Sequence, residues 1–198
     1  MPNWCYNSVT FSHKDPEQVN RLKHAIEQEA LFKEFFPCPP ALLEQIEMGD
    51  NYNERYEARQ AENLAKHGFT GWYDWSVENW GTKWDIGCSF VTDDTDPNIV
   101  SCTYDTAWSP PIAFYEKMAE IGWDIDAEYS EEGMGFVGYF TNEEGDEYFE
   151  LNFEHFDEDW MENFPLRLHE IVEQQYESWR DWQEQEKEDE STEHADDH

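Results

Sequence analysis

Residues 118–166 hold sixteen Asp or Glu and not one Lys or Arg. Carboxylates with no local counter-charge must stay hydrated, because burying an unpaired charge is too costly. The aromatic and aliphatic residues among them must reach the core from positions that alternate with acids, and short strands with one wet face meet that condition. The imbalance runs through the whole chain, which has 47 Asp and Glu against 12 Lys and Arg and a formal net charge of −35. Such a field repels nucleic acid and anionic membrane. It attracts basic protein surfaces, including those that bind DNA.

Disorder driven by charge comes with few aromatics, whereas this chain of 198 residues has ten Trp, ten Tyr and thirteen Phe. A folded aromatic core inside an acidic shell is expected. Cys5, Cys38, Cys88 and Cys102 are widely spaced with no zinc-site pattern and read as free buried thiols. No segment approaches the run of about 18 apolar residues that spans a membrane. The start, Met1-Pro2-Asn3-Trp4, lacks the basic and apolar regions of a signal peptide, so the expected location is the cytoplasm.

Residues 5–11 alternate as a strand, with Cys5, Asn7, Val9 and Phe11 on one face. Asp15 and Pro16 open a helix whose core stripe is Val19, Leu22 and Ile26. Three prolines in residues 35–40 break regular structure. Residues 53–67 read as a polar helix stopped by Gly68. After an aromatic stretch over residues 72–84, residues 86–91 read as a buried strand and 100–104 as its neighbour. Ser109-Pro110-Pro111 begins a second helix, with Phe114, Met118 and Ile121 on one face and Gly122 as its stop. Strands follow at residues 124–129, 135–140 and 148–153, the last with Phe149, Leu151 and Phe153 inward.

Two strand, helix, strand passages over one sheet predict an α+β sandwich of ferredoxin-like type, mostly antiparallel, with helices on one face. The expected domain covers residues 1–164, with a helical and aromatic insertion at about 35–85. A C-terminal helix at 165–185 follows, its apolar stripe formed by Leu168, Ile171, Val172, Trp179 and Trp182. An acidic tail at 186–198 reads as disordered.

Three segments carry a resemblance: Pro2-Asn3-Trp4-Cys5-Tyr6-Asn7; residues 75–85, containing Asn79-Trp80-Gly81-Thr82-Lys83-Trp84-Asp85; and Tyr104-Asp105-Thr106-Ala107-Trp108-Ser109-Pro110-Pro111. With Tyr129-Ser130-Glu131-Glu132-Gly133 and Gly135-Phe136-Val137-Gly138 they resemble the YubB/Api-type proteins of phages and conjugative plasmids, over residues 1–140. The resemblance implies a ferredoxin-like domain and a mobile-element setting, and it supplies no reaction.

Lys83, between Trp80 and Trp84, could clamp an anion with Thr82 and the amides around Gly81; the simpler reading is an ion pair with Asp85 or Asp105. Asp105, Thr106 and Ser109 could line a small-ligand site with Asn79 and Trp108; the simpler reading makes Ser109 a helix cap. Asp94-Thr95-Asp96-Pro97-Asn98 imitates the start of a calcium loop, but Ile99 stands where the sharp turn needs Gly. No metal site or cofactor is expected, and no nucleophile motif surrounds any of the seven histidines, His13, His24, His67, His155, His169, His194 and His198.

A charge of −35 equals that of about 17 base pairs of duplex DNA. The first functional expectation is therefore an interaction protein that binds and inhibits or redirects a basic host protein of DNA-binding or nuclease type, by DNA mimicry in an anti-restriction or anti-defence role. Its expected contact residues are Glu143, Glu144, Asp146, Glu147, Glu150, Glu154, Asp157, Glu158, Asp159 and Trp160, where acids mix with aromatics. The plain competitor is solubility, which predicts acids spread evenly around the fold. The alternative is a small-ligand or nucleotide-binding domain, or an enzyme using such a site, centred on Asn79, Trp80, Thr82, Lys83, Asp85, Asp105, Thr106, Trp108 and Ser109.

Overall fold

The computed structural model describes residues 3–92, 95–156 and 159–193. Pro2, Asp94, Asp157, Glu158, His194 and His198 lie outside the described residues. Strand β1 (Trp4–Ser12) pairs antiparallel with β3 (Ile99–Ala107) on one side and with β4 (Asp124–Glu131) on the other. Strand β2 (Gly87–Val91) lies outside β3, and β5 (Phe136–Thr141) and β6 (Gly145–Glu150) continue beyond β4. The order β2-β3-β1-β4 is the ferredoxin-like arrangement, to which β5 and β6 add two antiparallel strands. The fold is α+β, as its alternation of elements predicts.

Period-two alternation sends Cys5, Asn7, Val9 and Phe11 of β1 to one face, where they are buried. Helix α1 (Pro16–Glu27) covers that face; Asp15 caps it by accepting from the Glu17 amide, and Val19, Leu22 and Ile26 are buried. Four helices intervene before β2: α2 (Leu31–Phe35), α3 (Pro40–Leu43), α4 (Tyr52–His67) and α5 (Trp72–Trp80). Phe32, Trp75 and Trp80 from this insertion join the main core, while α4 stays largely exposed and ends at Gly68 in a left-handed conformation. Helix α6 (Ile112–Glu120) completes the layer with Phe114, Tyr115 and Met118.

A second core forms on the opposite face. Val137 and Tyr139 of β5 are covered by Phe164, Leu168 and Val172, the last from α7 (His169–Glu193). On the other face of β1, Trp4, Tyr6 and Ser8 are exposed. Gly138 permits a crossing between strands: the Tyr129 hydroxyl passes over it to donate to Asp146 at 2.6 Å, and a Cβ at Gly138 would sit 2.2 Å from that hydroxyl oxygen.

Several expectations change. Strand β2 is a half-exposed edge strand, because a bulge between Gly87 and Phe90, with Cys88 at φ 48, leaves Phe90 outward; the buried residue there is Ile86, just before the strand. Cys88 is exposed, unlike the other three thiols. The aromatic stretch contains helix α5. Strand β6 begins and ends earlier than its alternation suggested, since Gly145, at φ 76 and paired with Thr141, closes the β5–β6 hairpin as the strand's first residue. Helix α7 runs to Glu193, past the end of its apolar stripe, because the Gln- and Glu-rich segment propagates a helix already begun. Trp182, expected in that stripe, is more than half exposed.

One buried polar chain ties the central elements together. Asn7, fully buried, donates through Nδ2 to Thr106 Oγ1 at 3.0 Å, to the Cys5 carbonyl at 2.9 Å and to the Tyr104 carbonyl at 3.2 Å. Tyr115 donates its single proton to Asn7 Oδ1, so the 2.8 Å contact between the two tyrosine hydroxyls has Tyr104 as donor. Burial holds both phenols well above their ordinary pKa, so they remain neutral donors. Asn7→Ala removes the hub and strands buried partners on β3 and α6. The expected loss is about 2–3 kcal/mol in a urea unfolding curve, with an unchanged slope; a loss below about 0.5 kcal/mol would deny Asn7 this role.

Candidate functional site

The two motif strings form one interlocked corner. Gly81, at φ 84, ends α5, and its amide donates to the Val77 carbonyl. A Cβ there would come within 2.9 Å of the Ile112 nitrogen, so only glycine lets the α5 terminus approach the start of α6 so closely. Ser109 Oγ donates to the Gly81 carbonyl at 2.7 Å, and Thr82 Oγ1 donates to the Ala107 carbonyl at 2.9 Å. Ser109 is thus a clamp between loops and not the expected helix cap; α6 starts at Ile112, and no side chain caps it.

Most of the expected ligand residues are engaged within the fold. Asn79 accepts from Lys117 and donates to the Trp75 carbonyl. Trp80 is buried, with its indole N–H on the Phe36 carbonyl at 2.9 Å. Asp85 accepts from the amides of Phe32, Lys33 and Ile86 at 2.9, 3.1 and 3.0 Å, which satisfies the first turn of α2. Thr106 Oγ1 donates to the Ser109 carbonyl at 2.7 Å. Asp105 and Thr106 are neighbours on β3, so their side chains point to opposite faces of the sheet and do not meet at one ligand.

Lys83 forms no ion pair with Asp85, with Asp105 or with any other acid among the described residues. Its Nζ lies 4.4 Å from the Trp84 ring centre, 4.8 Å from Trp108 and 5.8 Å from Tyr73, a cation–π arrangement. Trp4 extends the cluster, 6.3 Å from Trp84. Tyr73, Trp84 and Trp108 are each 38–44% exposed, so this is an open platform rather than an enclosed cavity. Trp108 stands at φ 70, unusual for a bulky side chain, and its amide donates to the Asn3 carbonyl at 3.0 Å.

The acidic residues occupy a different region. Glu143 and Glu144 stand at the tip of the β5–β6 hairpin, and Asp146, Glu147 and Glu150 lie exposed along β6, whose outer edge has no partner strand among the described residues. Glu154 and Asp159 are exposed in the following turns. Trp160 is not a free anchor: it stacks on Phe156 at 4.7 Å and lies 5.1 Å from Tyr176, inside the second aromatic cluster. Sequence reading missed one acidic row. Glu170, Glu173, Glu177, Asp181 and Glu184 are all exposed on α7, and their spacing of three and four residues aligns them along one face. That period was visible in the sequence beside the apolar stripe. Arg167, the first cation after the acidic stretch, is already bound by Asp126 and Glu128 and lies over the Tyr139 ring.

Chemically, the Cys5 and Cys38 thiols are poor nucleophiles: burial raises Cys5 far above its ordinary pKa and Cys38 to about 11. Asp96 accepts from the Asn98 amide in its own turn, and Ile99 opens β3, so residues 95–99 of the calcium-like string form a turn and the start of a strand. Among the described residues no group of three His, Cys, Asp or Glu side chains is arranged to hold a metal ion, and no helix is long and apolar enough to cross a membrane.

Burial raises the pKa of Asp85 and Asp105, and partial desolvation does the same for Asp146, which is exposed as a residue but whose Oδ1 accepts from the Tyr129 hydroxyl. From the ordinary Asp value of 3.8 up to each raised value, the folded state holds more protons than the unfolded state. Stability therefore falls as pH rises through that window. The thermal midpoint, followed by circular dichroism, is expected to be higher at about pH 5 than at about pH 8. A midpoint that climbs with pH would contradict this assignment of the carboxylates.

No family model matches the chain, and no curated protein matches it. Among solved structures, it is similar to the crystal structure of protein api92 from Yersinia pseudotuberculosis, family-model DUF1281, at 8% identity and a TM-score of 0.43. The match covers 77% of this chain and 99% of that one, a likeness too slight to transfer any residue or activity.

Proposed function

We propose that this chain is an interaction protein whose acidic flank binds a basic protein and occupies the surface with which that protein holds DNA. The observation that carries this reading is the run of exposed Glu143, Glu144, Asp146, Glu147 and Glu150 along the hairpin tip and outer edge of β6. Five carboxylates follow closely along this border, and a second exposed acidic row runs along α7. Rows of carboxylates offer a DNA-binding cleft the sign and density of charge it recognises, and long-range attraction speeds the encounter. In a phage or plasmid setting, such binding inhibits or redirects a host nuclease or regulator. A small-ligand site at the Lys83 corner has less support, because Asn79, Trp80, Thr82, Asp85, Thr106 and Ser109 are already hydrogen-bonded within the fold.

The test is retention of proteins from a bacterial lysate on the immobilised chain, across a salt series, with duplex DNA as competitor. Basic DNA-binding proteins are expected to be retained at low salt and displaced by DNA. At about 1 M salt, where the screening length is about 3 Å, they are expected to elute. The combined substitution Glu143→Gln, Glu144→Gln, Glu147→Gln and Glu150→Gln should lower retention by about tenfold or more. Retention unchanged by both salt and the substitutions would sink the proposal, as would a chain that retains nothing.

A further inference from the structure

A groove of about 420 Å³ runs between α7 and the segments that follow β4 and β6. Its apolar wall is made by Phe153, Trp179 and Trp182, and Glu132 and Glu154 stand among its lining residues; no Lys or Arg lines it. Trp182 is 54% exposed, a large indole with half its surface in water. Trp179 is held in place, 5.8 Å from Phe153 and stacked on Tyr176 at 5.9 Å. The groove therefore has one fixed indole and one that is free on its outer side.

Gln175 makes the groove more than a crease. It is only 6% exposed and lines the groove, yet its amide atoms are not sealed from solvent: the sealed, unpartnered side-chain polar atom among the described residues is Asn98 Oδ1. Water in the groove can satisfy that amide, and a ligand of the right polarity can take the water's place. A ligand that brings a donor and an acceptor to this point keeps both ends of the amide bonded as it displaces water.

Charge selects the occupant. A second copy of this chain carries the same net charge of −35, and its acidic C-terminal residues would meet Glu132 and Glu154 with like sign. Nucleic acid is excluded on the same ground. A cationic side chain is attracted, and a guanidinium fits best: its plane stacks on indole, and its fork of N–H groups reaches both carboxylates and an amide oxygen. An ammonium has the charge without the plane.

We infer that this groove binds an arginine side chain of a basic partner, with the guanidinium against Trp179 and Trp182, its N–H groups donating to Gln175 Oε1 and to Glu132 or Glu154, and the Gln175 NH₂ donating to a partner backbone carbonyl. The inference rests on the reading of the chain as a binder of basic protein, and it names the contact that gives such binding its side-chain preference. The row of acids on β6 attracts, and the groove discriminates.

The experiment uses the full chain and dye-labelled tetra-arginine, tetra-lysine and tetra-glutamate peptides, with affinity read by fluorescence anisotropy. Tetra-arginine is expected to bind more tightly than tetra-lysine, and tetra-glutamate not at all. Trp182→Ala, which removes an exposed side chain, should weaken tetra-arginine by about tenfold and narrow the gap to tetra-lysine. Gln175→Leu keeps the volume and removes the amide, and should weaken tetra-arginine several-fold without lowering the thermal midpoint. In the amide spectrum of ¹⁵N-labelled protein, the indole signals of Trp179 and Trp182 and the side-chain NH₂ of Gln175 should shift on titration. If both variants bind as the unaltered chain does while neutralising the β6 glutamates abolishes binding, the groove is overturned and the acidic-flank reading stands. If tetra-arginine fails to bind at low salt in every form, both fall. Equal affinity for tetra-lysine overturns the choice of arginine.

Discussion

The hydrogen-bonded line through Asn7 sets the position of nearly everything else. It starts at the Tyr104 hydroxyl, passes through Tyr115 to Asn7, and continues through Thr106 to the Ser109 carbonyl. Ser109 then holds the Gly81 carbonyl, which fixes the end of α5 and the loop that carries Lys83. A buried polar group tolerates few arrangements, because each donor or acceptor left alone costs about 1–3 kcal/mol. The line therefore locks β1, β3, α6 and α5 into one register where apolar packing alone would permit sliding. It also explains why the motif strings contain so many polar residues and yet form no cavity: those residues bond to one another. The Lys83 platform is the outer end of this core, an ammonium left among Trp84, Trp108 and Tyr73 after the neighbouring polar groups have paired.

Where structure follows from neighbours in sequence, the sequence was readable. The alternation of β1 and the Asp15-Pro16 start of α1 depend on interactions within a few residues, and both are found where their patterns put them. The misread parts depend on distant partners. Helix α5 carries aromatics all round, with Trp75 and Trp80 buried and Tyr73 and Val77 exposed, so no apolar stripe announces it. Ser109 has a side chain suited to capping, but Gly81, 28 residues earlier in the chain, offers a carbonyl and takes it. Strand β3 continues three residues beyond Tyr104, and that extension sends Asp105 and Thr106 to opposite faces, which a loop would not have done. The acidic edge of β6 was legible as composition; that it forms a border required knowing that no strand follows it. The groove was not legible, since Glu132, Phe153 and Gln175 meet only because α7 folds back over the sheet.

The two borders of the sheet are protected by different means, and this bears on what the acids do. An exposed strand edge invites pairing with another chain. Strand β2 is short and bulged at Cys88, so its hydrogen-bonding groups do not line up for a partner. Strand β6 is regular across its pairs with β5 and has no such defect. Its protection is charge: Asp146, Glu147 and Glu150 along the edge, with Glu143 and Glu144 at the tip, repel any second acidic copy. The repulsion is selective by sign. A basic segment meets attraction at the same edge, and its approach removes the one barrier that keeps those backbone groups unpaired. Carboxylates that oppose pairing with a second acidic copy do not oppose a segment of opposite charge, so the solubility and binding readings of the acidic stretch describe one physical property under two conditions. They part only in what happens once a cation is close, and that depends on whether the surface beside the edge offers shaped contacts as well as charge.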